Sequence, residues 1–429
     1  MASPPLAASL QAGGSVQRWP EPLESLHCQV LVVGAGPAGA DLARQLALQG
    51  VDVLLVDRLP SLERAAFSSA AMPLDALDRF GLPASVVAAR WRGWELFGPS
   101  DRRRQWESGR TQGVVLDFAA LRHWLVGETR RWGGSVRLGV RALACRQEGD
   151  QVLTSLADGL GQRLEVRSSW VVDATGQERS LLGDPPRNAR NPLVAGVGLE
   201  WLVEVPDPCW ERWAERLAFC LGSDWVPQGY GWVFPMQPNR LKVGICRLLD
   251  PRRPQPPLGP LLGNLLERLF SPAERRAMVV VDRHGGQIRS TIHRREAHGR
   301  GRLIGLGDAV STANLLGGEG IRHALTSSRV LAPLLLESLE QQGEEPARST
   351  PLGRYSAKLR DALGWRWSLS GSLARRTWLG LNGAGADQRL DRLLTSLEGG
   401  RAEDLSALLF DYRFERYGLR AMPYLLGWR

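Results

Sequence analysis

The segment from Val30 to Asp57 constrains this chain more than any other. A short apolar run, Val30–Val33, leads into Gly34-Ala35-Gly36-Pro37-Ala38-Gly39; a helix-forming stretch then ends at Gly50, and a second apolar run, Val53–Val56, stops on Asp57. That order is a βαβ unit with Gly50 as helix C-cap. Its glycines fit the spacing G-x-G-x-x-G. Gly34 allows the tight turn, Gly36 lets a pyrophosphate reach the backbone, and Gly39 lets helix and strand pack closely. The helix N-terminus, opening at Pro37 and Ala38, then faces the phosphates. Asp57, 21 residues beyond Gly36, is placed to accept hydrogen bonds from a ribose. A lone glycine pattern says little, but strand, turn, helix, strand and acid in register predict a bound dinucleotide.

The remaining chain must supply the rest of an enzyme-sized molecule, since 429 residues exceed what one small core needs. Apolar residues at 43% and charged residues at 23% exclude a disordered or fibrous chain. No apolar run reaches the roughly 18 residues of a membrane-spanning helix. The net charge is +9, carried by 52 arginines and two lysines, Lys242 and Lys358. The arginines are dispersed, which gives no footprint for nucleic acid. A basic surface and sixteen tryptophans suit peripheral contact with anionic lipid, although core packing accounts for the tryptophans equally well. Cys28, Cys145, Cys209, Cys220 and Cys246 form no C-x-x-C pair and have no histidine at zinc-ligand spacing, so neither a disulfide framework nor a metal site is expected. The expected compartment is cytoplasmic, with or without attachment to a membrane surface. Oligomeric state is not legible. Residues 1–26 read as a flexible lead-in.

Further along, Val114–Trp132 is predicted as a helix, and Trp170–Val172 and Leu303–Leu306 as buried strands, each ending in a turn that carries Gly and Asp. Between those two strands lie β-rich stretches at Val194–Val205 and Gly229–Leu249, the latter turning at Met236–Arg240. Antiparallel strands placed between parallel ones imply a second domain interrupting the first. The expected fold is α/β. A Rossmann-like domain with a parallel sheet takes 27–90, 109–187 and 299–348, and an α+β substrate domain with an antiparallel sheet takes 91–108 and 188–298. A helical C-terminal region takes 349–429.

Val171-Val172-Asp173-Ala174-Thr175-Gly176 and Gly305-Leu306-Gly307-Asp308-Ala309, the latter followed by Gly317-Gly318-Glu319-Gly320-Ile321, resemble the second and third signatures of flavoproteins in the para-hydroxybenzoate hydroxylase superfamily. The resemblance implies that the dinucleotide is FAD. It places Gly176, Gly307 and Asp308 among the cofactor-binding residues, the aspartate at the ribose and pyrophosphate. It also makes Gly318, Glu319, Gly320 and Ile321 the start of a helix aimed at the flavin ring. Such a helix N-terminus stabilises negative charge on the reduced ring.

Within that superfamily the chain resembles the geranylgeranyl reductases and their archaeal prenyl-lipid relatives. Gly318-Glu319-Gly320-Ile321 carries the likeness, with Gly229-Tyr230-Gly231-Trp232-Val233-Phe234-Pro235 and Val243-Gly244-Ile245, and with Ala71-Met72-Pro73-Leu74 and Phe80-Gly81-Leu82-Pro83. The match runs from about Cys28 to Leu335. It implies reduction of double bonds in a prenyl lipid or pigment side chain. NAD(P)H would be the transient donor, since the chain has one dinucleotide fold. Tyr230, Trp232 and Phe234 alternate along a strand and would wall the substrate, with plain sheet core as the competing reading. His323 is the candidate proton donor, against a core or surface role. The chain also departs from the family. Ser68 and Ser69 stand where a cysteine is common, Gly113 stands where an arginine is usual, and Ser311 and Leu315 replace a glycine and a proline. A flavin monooxygenase, a lycopene-cyclase-type flavoprotein and a non-catalytic carrier of a prenylated pigment or lipid remain alternatives. Flavin halogenases are set aside because no lysine precedes Lys242.

Overall fold

The computed structural model describes residues 24–64, 68–188, 190–293, 296–341 and 351–414. The lead-in at 1–26 lies outside these residues except for its last three, which already belong to the strand Glu24–Val33. Residues 342–350 and 415–429, parts of two expected domains, also lie outside them.

An eight-stranded sheet is built around that first strand. Ser135–Leu138, Val53–Asp57, Glu24–Val33, Arg163–Asp173 and Leu303–Gly305 run parallel in that spatial order. Side-chain alternation divides its apolar residues between two layers. Val30, Val32, Val53 and Leu55 pack under the helices Pro37–Leu48, Phe118–Arg131 and Ile321–Glu340. Leu31, Val33, Leu54 and Val56 pack against the antiparallel pair Arg141–Glu148 and Gln151–Ala157. The strands are therefore apolar without interruption, as a sheet covered on both faces requires.

A second sheet has seven strands, ordered Val279–Thr291, Leu193–Glu204, Arg240–Leu248, Gly229–Met236, Arg216–Leu221, Gly93–Phe97 and Arg103–Glu107. All its pairings are antiparallel except that of Arg216–Leu221 with Gly93–Phe97. One face buries Val233, Val243 and Ile245 against the helices Asp207–Trp213 and Leu258–Leu269. The other carries Tyr230, Trp232 and Phe234 into a core shared with the C-terminal helices Pro351–Gly380, Ala384–Leu397 and Ala402–Phe410.

One expected helix is shorter than its periodicity suggested. Gly113–Leu116 is a buried strand pairing with Ala71–Pro73 and Val87–Trp91, and the helix starts only at Phe118. The Asp117 carboxylate accepts from the Ala120 amide at 3.0 Å, an N-cap that ends the strand and opens the helix. Among the described residues no helix is long and apolar enough to cross a membrane, and no cluster of His, Cys, Asp and Glu could hold a metal.

Candidate active site

Three turns meet at the C-terminal ends of the parallel strands, and their glycines are not equivalent. Gly34 has φ +109°, and a Cβ there would run into the Ala174 carbonyl. A Cβ at Gly39 would strike the Gly34 carbonyl and the Ala174 side chain. Packing within the protein accounts for both. Gly36 is different: its φ of −75° and ψ of 178° suit any residue, and a Cβ there would meet nothing within 4 Å. It caps a helix whose first turn has no side-chain cap and no acid, so free amides face open space. That unexplained glycine fits a pyrophosphate.

Asp57 is nearly buried. Its Oδ2 accepts from the Ala35 amide at 2.6 Å and its Oδ1 from the Leu59 amide at 2.8 Å. Each oxygen keeps capacity for another donor, so the carboxylate ties down the glycine turn and still has room for a ribose hydroxyl. Beneath the turn lies Arg122, which sequence reasoning missed. It is 4% exposed and donates to the carbonyls of Ala35, Leu62 and Arg64 at 3.3, 2.8 and 3.0 Å. Burial lowers its pKa while Asp57 and Glu63 oppose the shift. The signal was an arginine inside the apolar stripe Leu121, Leu125, Val126.

In the second turn the buried Asp173 carboxylate accepts from the Thr175 amide and hydroxyl and from the amides of Leu181 and Leu182, and Gly176 follows at the surface of that knot. In the third, Gly307 abuts Ala38, so this turn rests on the first helix. Asp308 accepts from Thr312 Oγ1 at 3.0 Å, and burial raises its carboxyl.

Pro37, Asp308, Gly318, Gly320 and Ile321 line a cavity of about 240 Å³ whose far wall is Tyr230, Trp232 and Phe234. Eight of the expected residues, from two sheets, thus meet at one cavity, and Ser68 and Ser69 border it. His323 does not line it. The helix Ile321–Glu340 turns this ring towards Tyr412, its Nε2 lying 3.3 Å from the hydroxyl, and towards Trp367. The proton-donor expectation therefore fails on geometry: the side chain is on the helix face away from the cavity.

Glu319 also faces the C-terminal segment, pairing with Arg322 at 2.5 Å and accepting from Tyr412 at 2.9 Å. Burial alone would raise its carboxyl, but the Arg322 guanidinium and His323 outweigh that and hold it below the usual range. A depressed carboxyl adds stability above its unfolded pKa, and that stability fades as pH falls through the folded value. Glu319→Gln should therefore cost the apoprotein about 2 kcal/mol at neutral pH, and the difference should begin to shrink below the unfolded carboxyl's pKa of about 4.3 and vanish only in stronger acid, below the depressed folded value. Equal loss at both pH values in chemical denaturation would refute the ion pair.

The wall behind Trp232 holds two more buried ionisable groups, Glu200 and Lys242. Trp232 Nε1 donates to Glu200 at 2.9 Å, and Lys242, on the strand beside it, donates from Nζ to the carbonyls of Ser68 and Leu116, both at 3.0 Å. Burial raises the Glu200 carboxyl and lowers the Lys242 ammonium, each opposed by the other's charge. The signal for Lys242 was one lysine on the cavity side of a hairpin in a chain that otherwise uses arginine.

The departures from the family pattern have structural companions. A Cβ at Gly113 would collide with the Met72 carbonyl and the Trp91 ring, so Trp91 occupies the space a longer side chain needs. Ser311 adopts φ +61°, the conformation glycine favours. Its hydroxyl accepts from Arg179 at 2.8 Å and the Thr291 amide at 3.0 Å, and donates to Glu296 at 2.6 Å. The Leu315 carbonyl accepts from Trp378 Nε1 at 3.1 Å.

A parallel-sheet nucleotide fold with three converging glycine turns, facing an antiparallel sheet across a cavity, is the architecture of an FAD-binding protein. Residues 27–184 match the model of the FAD binding domain. The digeranylgeranylglycerophospholipid reductase of Haloferax volcanii is 29% identical over 326 residues, covering 71% of this chain and 74% of that protein. The chloroplastic geranylgeranyl diphosphate reductase of Oryza sativa subsp. japonica is 26% identical over 79% of this chain and 72% of its own length. In fold, the chain superposes on a geranylgeranyl bacteriochlorophyll reductase-like protein from Thermoplasma acidophilum with a TM-score of 0.76, at 20% identity, over 93% of this chain and all of that one. By these relatives the chain is an FAD-dependent oxidoreductase similar to the geranylgeranyl reductases.

Proposed function

We propose that this protein reduces carbon–carbon double bonds in the prenyl chain of a lipid or pigment, with NAD(P)H as electron donor. One observation carries the reading. Phe219, Tyr230, Gly317 and Trp378 border the flavin-side cavity and also a larger one of about 580 Å³, otherwise lined mostly by leucines. A cavity of that size suits a ligand, and its lining suits a hydrocarbon chain better than a small polar aromatic. Its wall comes largely from the C-terminal helices, whereas the sequence pointed to the interrupting domain alone.

The Gly36 and Ala38 amides would hold the pyrophosphate beside Pro37, Asp57 the adenosine ribose, Gly307 and Asp308 the second ribose region, and Gly318–Ile321 the ring. Bound FAD supplies hydride transfer from the nicotinamide to an alkene carbon. The protein's share is to hold the prenyl chain against Tyr230 and Trp232 and to exclude water. In an anaerobic test, NADPH should bleach the flavin, and a geranylgeranyl lipid should restore its colour while gaining two mass units per turnover, as expected for a two-electron reduction. Flavin that is reoxidised only by oxygen, with a hydroxylated product, would overturn the reading in favour of a monooxygenase.

A further inference from the structure

We infer that Trp378 is a specificity-determining residue: with Phe219 and Tyr230 it forms the neck between the two cavities, and that neck decides which double bond of a prenyl chain reaches the flavin. This rests on the prenyl-reductase reading and adds what selects the bond. A prenyl chain repeats one unit, so its double bonds present nearly the same group, and the larger cavity offers little to tell them apart. Except for Arg376, Thr377 and Arg389, its lining side chains are apolar or aromatic. Apolar burial is non-directional and follows area, so a chain can shift by one unit while burying the same surface. The choice of bond then falls to shape, at the passage towards Gly318–Ile321.

Three parts of the fold meet at that passage. Phe219 and Tyr230 come from the antiparallel sheet, Gly317 from the loop entering the glycine turn, and Trp378 from the end of the helix Pro351–Gly380. Among the described residues, these four border both cavities. The rings touch, with centroids 5.8 Å apart for Phe219 and Tyr230 and 5.1 Å apart for Tyr230 and Trp378, and each is at most 8% exposed. Trp378 is also held by its edge, because Nε1 donates to the carbonyls of Leu315 and Leu316, both at 3.1 Å. A ring tied at its N–H and packed on a second ring is not free to swing aside as a chain passes. Gly317 adds only backbone to the neck, backed by Leu409: a Cβ there would lie 2.9 Å from Leu409 Cδ1. Trp378 is the ring that the chain-cavity helix contributes, and Leu373, Thr377 and Gly380 beside it line that cavity.

The test is a single turnover of FAD-loaded protein, its flavin reduced beforehand, with geranylgeraniol, geranylgeranyl diphosphate and a digeranylgeranylglycerol phosphate as probes. Fragment masses locate the reduced bond. Wild-type protein should favour one bond. In Trp378→Leu the ratio of that bond to its neighbour should fall about tenfold, the lower end of what apolar shape discriminates, and Trp378→Phe, which keeps a ring, should lie between. Binding to the flavin-free protein separates shape from affinity: geranylgeraniol should bind Trp378→Leu within about threefold of the wild type, because leucine leaves the wall apolar. Phe219→Leu widens the neck from the sheet and should shift the preference likewise, which keeps the test decisive if Trp378→Leu does not fold. An unchanged preference in the folded variants, or a wild type without one, overturns the neck and leaves the prenyl reading standing. Lost affinity with the preference intact overturns it too, since Trp378 would then only line the cavity. A wild-type protein that reduces none of the probes would refute the prenyl reading itself.

Discussion

Gly36→Val is expected to fold normally and purify without flavin. The backbone at this position is extended and a Cβ meets nothing, so unfolding of the variant apoprotein should differ from the wild type by no more than about 1 kcal/mol, the scale of replacing an N-cap glycine. The added methyls occupy the space at the helix N-terminus where a pyrophosphate would approach, so flavin absorbance should be lost. Gly39→Ala provides the contrast. Its single methyl overlaps the Gly34 carbonyl, which the parallel sheet holds in place, and should cost at least about 3 kcal/mol. Stoichiometric FAD in Gly36→Val would mean that the turn is misassigned, and an unfolded Gly36→Val would mean that the glycine serves the protein and not a ligand.

The second large effect is expected at Lys242. Lys242→Met leaves the carbonyls of Ser68 and Leu116 without their donor and removes the buried charge that offsets Glu200, so it should destabilise the protein by about 3–5 kcal/mol in equilibrium unfolding. The loss has two parts. Glu200 loses the field of the ammonium and keeps its Trp232 hydrogen bond and the influence of His284, and the carbonyls of Ser68 and Leu116 lose their donor. Adding Glu200→Gln should recover part of the stability, because a neutral amide can still accept from Trp232 without an uncompensated charge. A cost below about 1 kcal/mol for Lys242→Met, or no coupling between the two positions, would show that the ammonium reaches water.

The site was legible in the sequence to the extent that contiguous residues make it. The turn Gly34–Gly39 and the strand Tyr230, Trp232, Phe234 each declare themselves within a few positions, because glycine spacing and strand alternation are local. Arg122 and Lys242 were legible as anomalies, a cation in an apolar stripe and one of two lysines among arginines, but their partners are carbonyls about 58 to 174 residues away. His323 shows the opposite error. Its distance from the glycine turn was right for the cavity, but helical rotation put it on the face that meets Tyr412, and only the packing of the C-terminal segment reveals which face that is.

By itself the sequence determined the nucleotide fold and the presence of an interrupting antiparallel sheet, because periodicity and turn chemistry act over short spans, whereas FAD as the dinucleotide came from the resemblance of the later glycine turns to flavoprotein signatures. Only the tertiary structure decided what the larger cavity is made of. Trp378, Leu394 and Leu397 lie more than 140 residues from Tyr230, on helices whose amphipathic pattern says that one side is buried but not against what. Apolar burial is non-directional, so the partner of an apolar face is chosen by the fold as a whole. That choice joins the C-terminal helices to the sheet that carries Tyr230, Trp232 and Phe234.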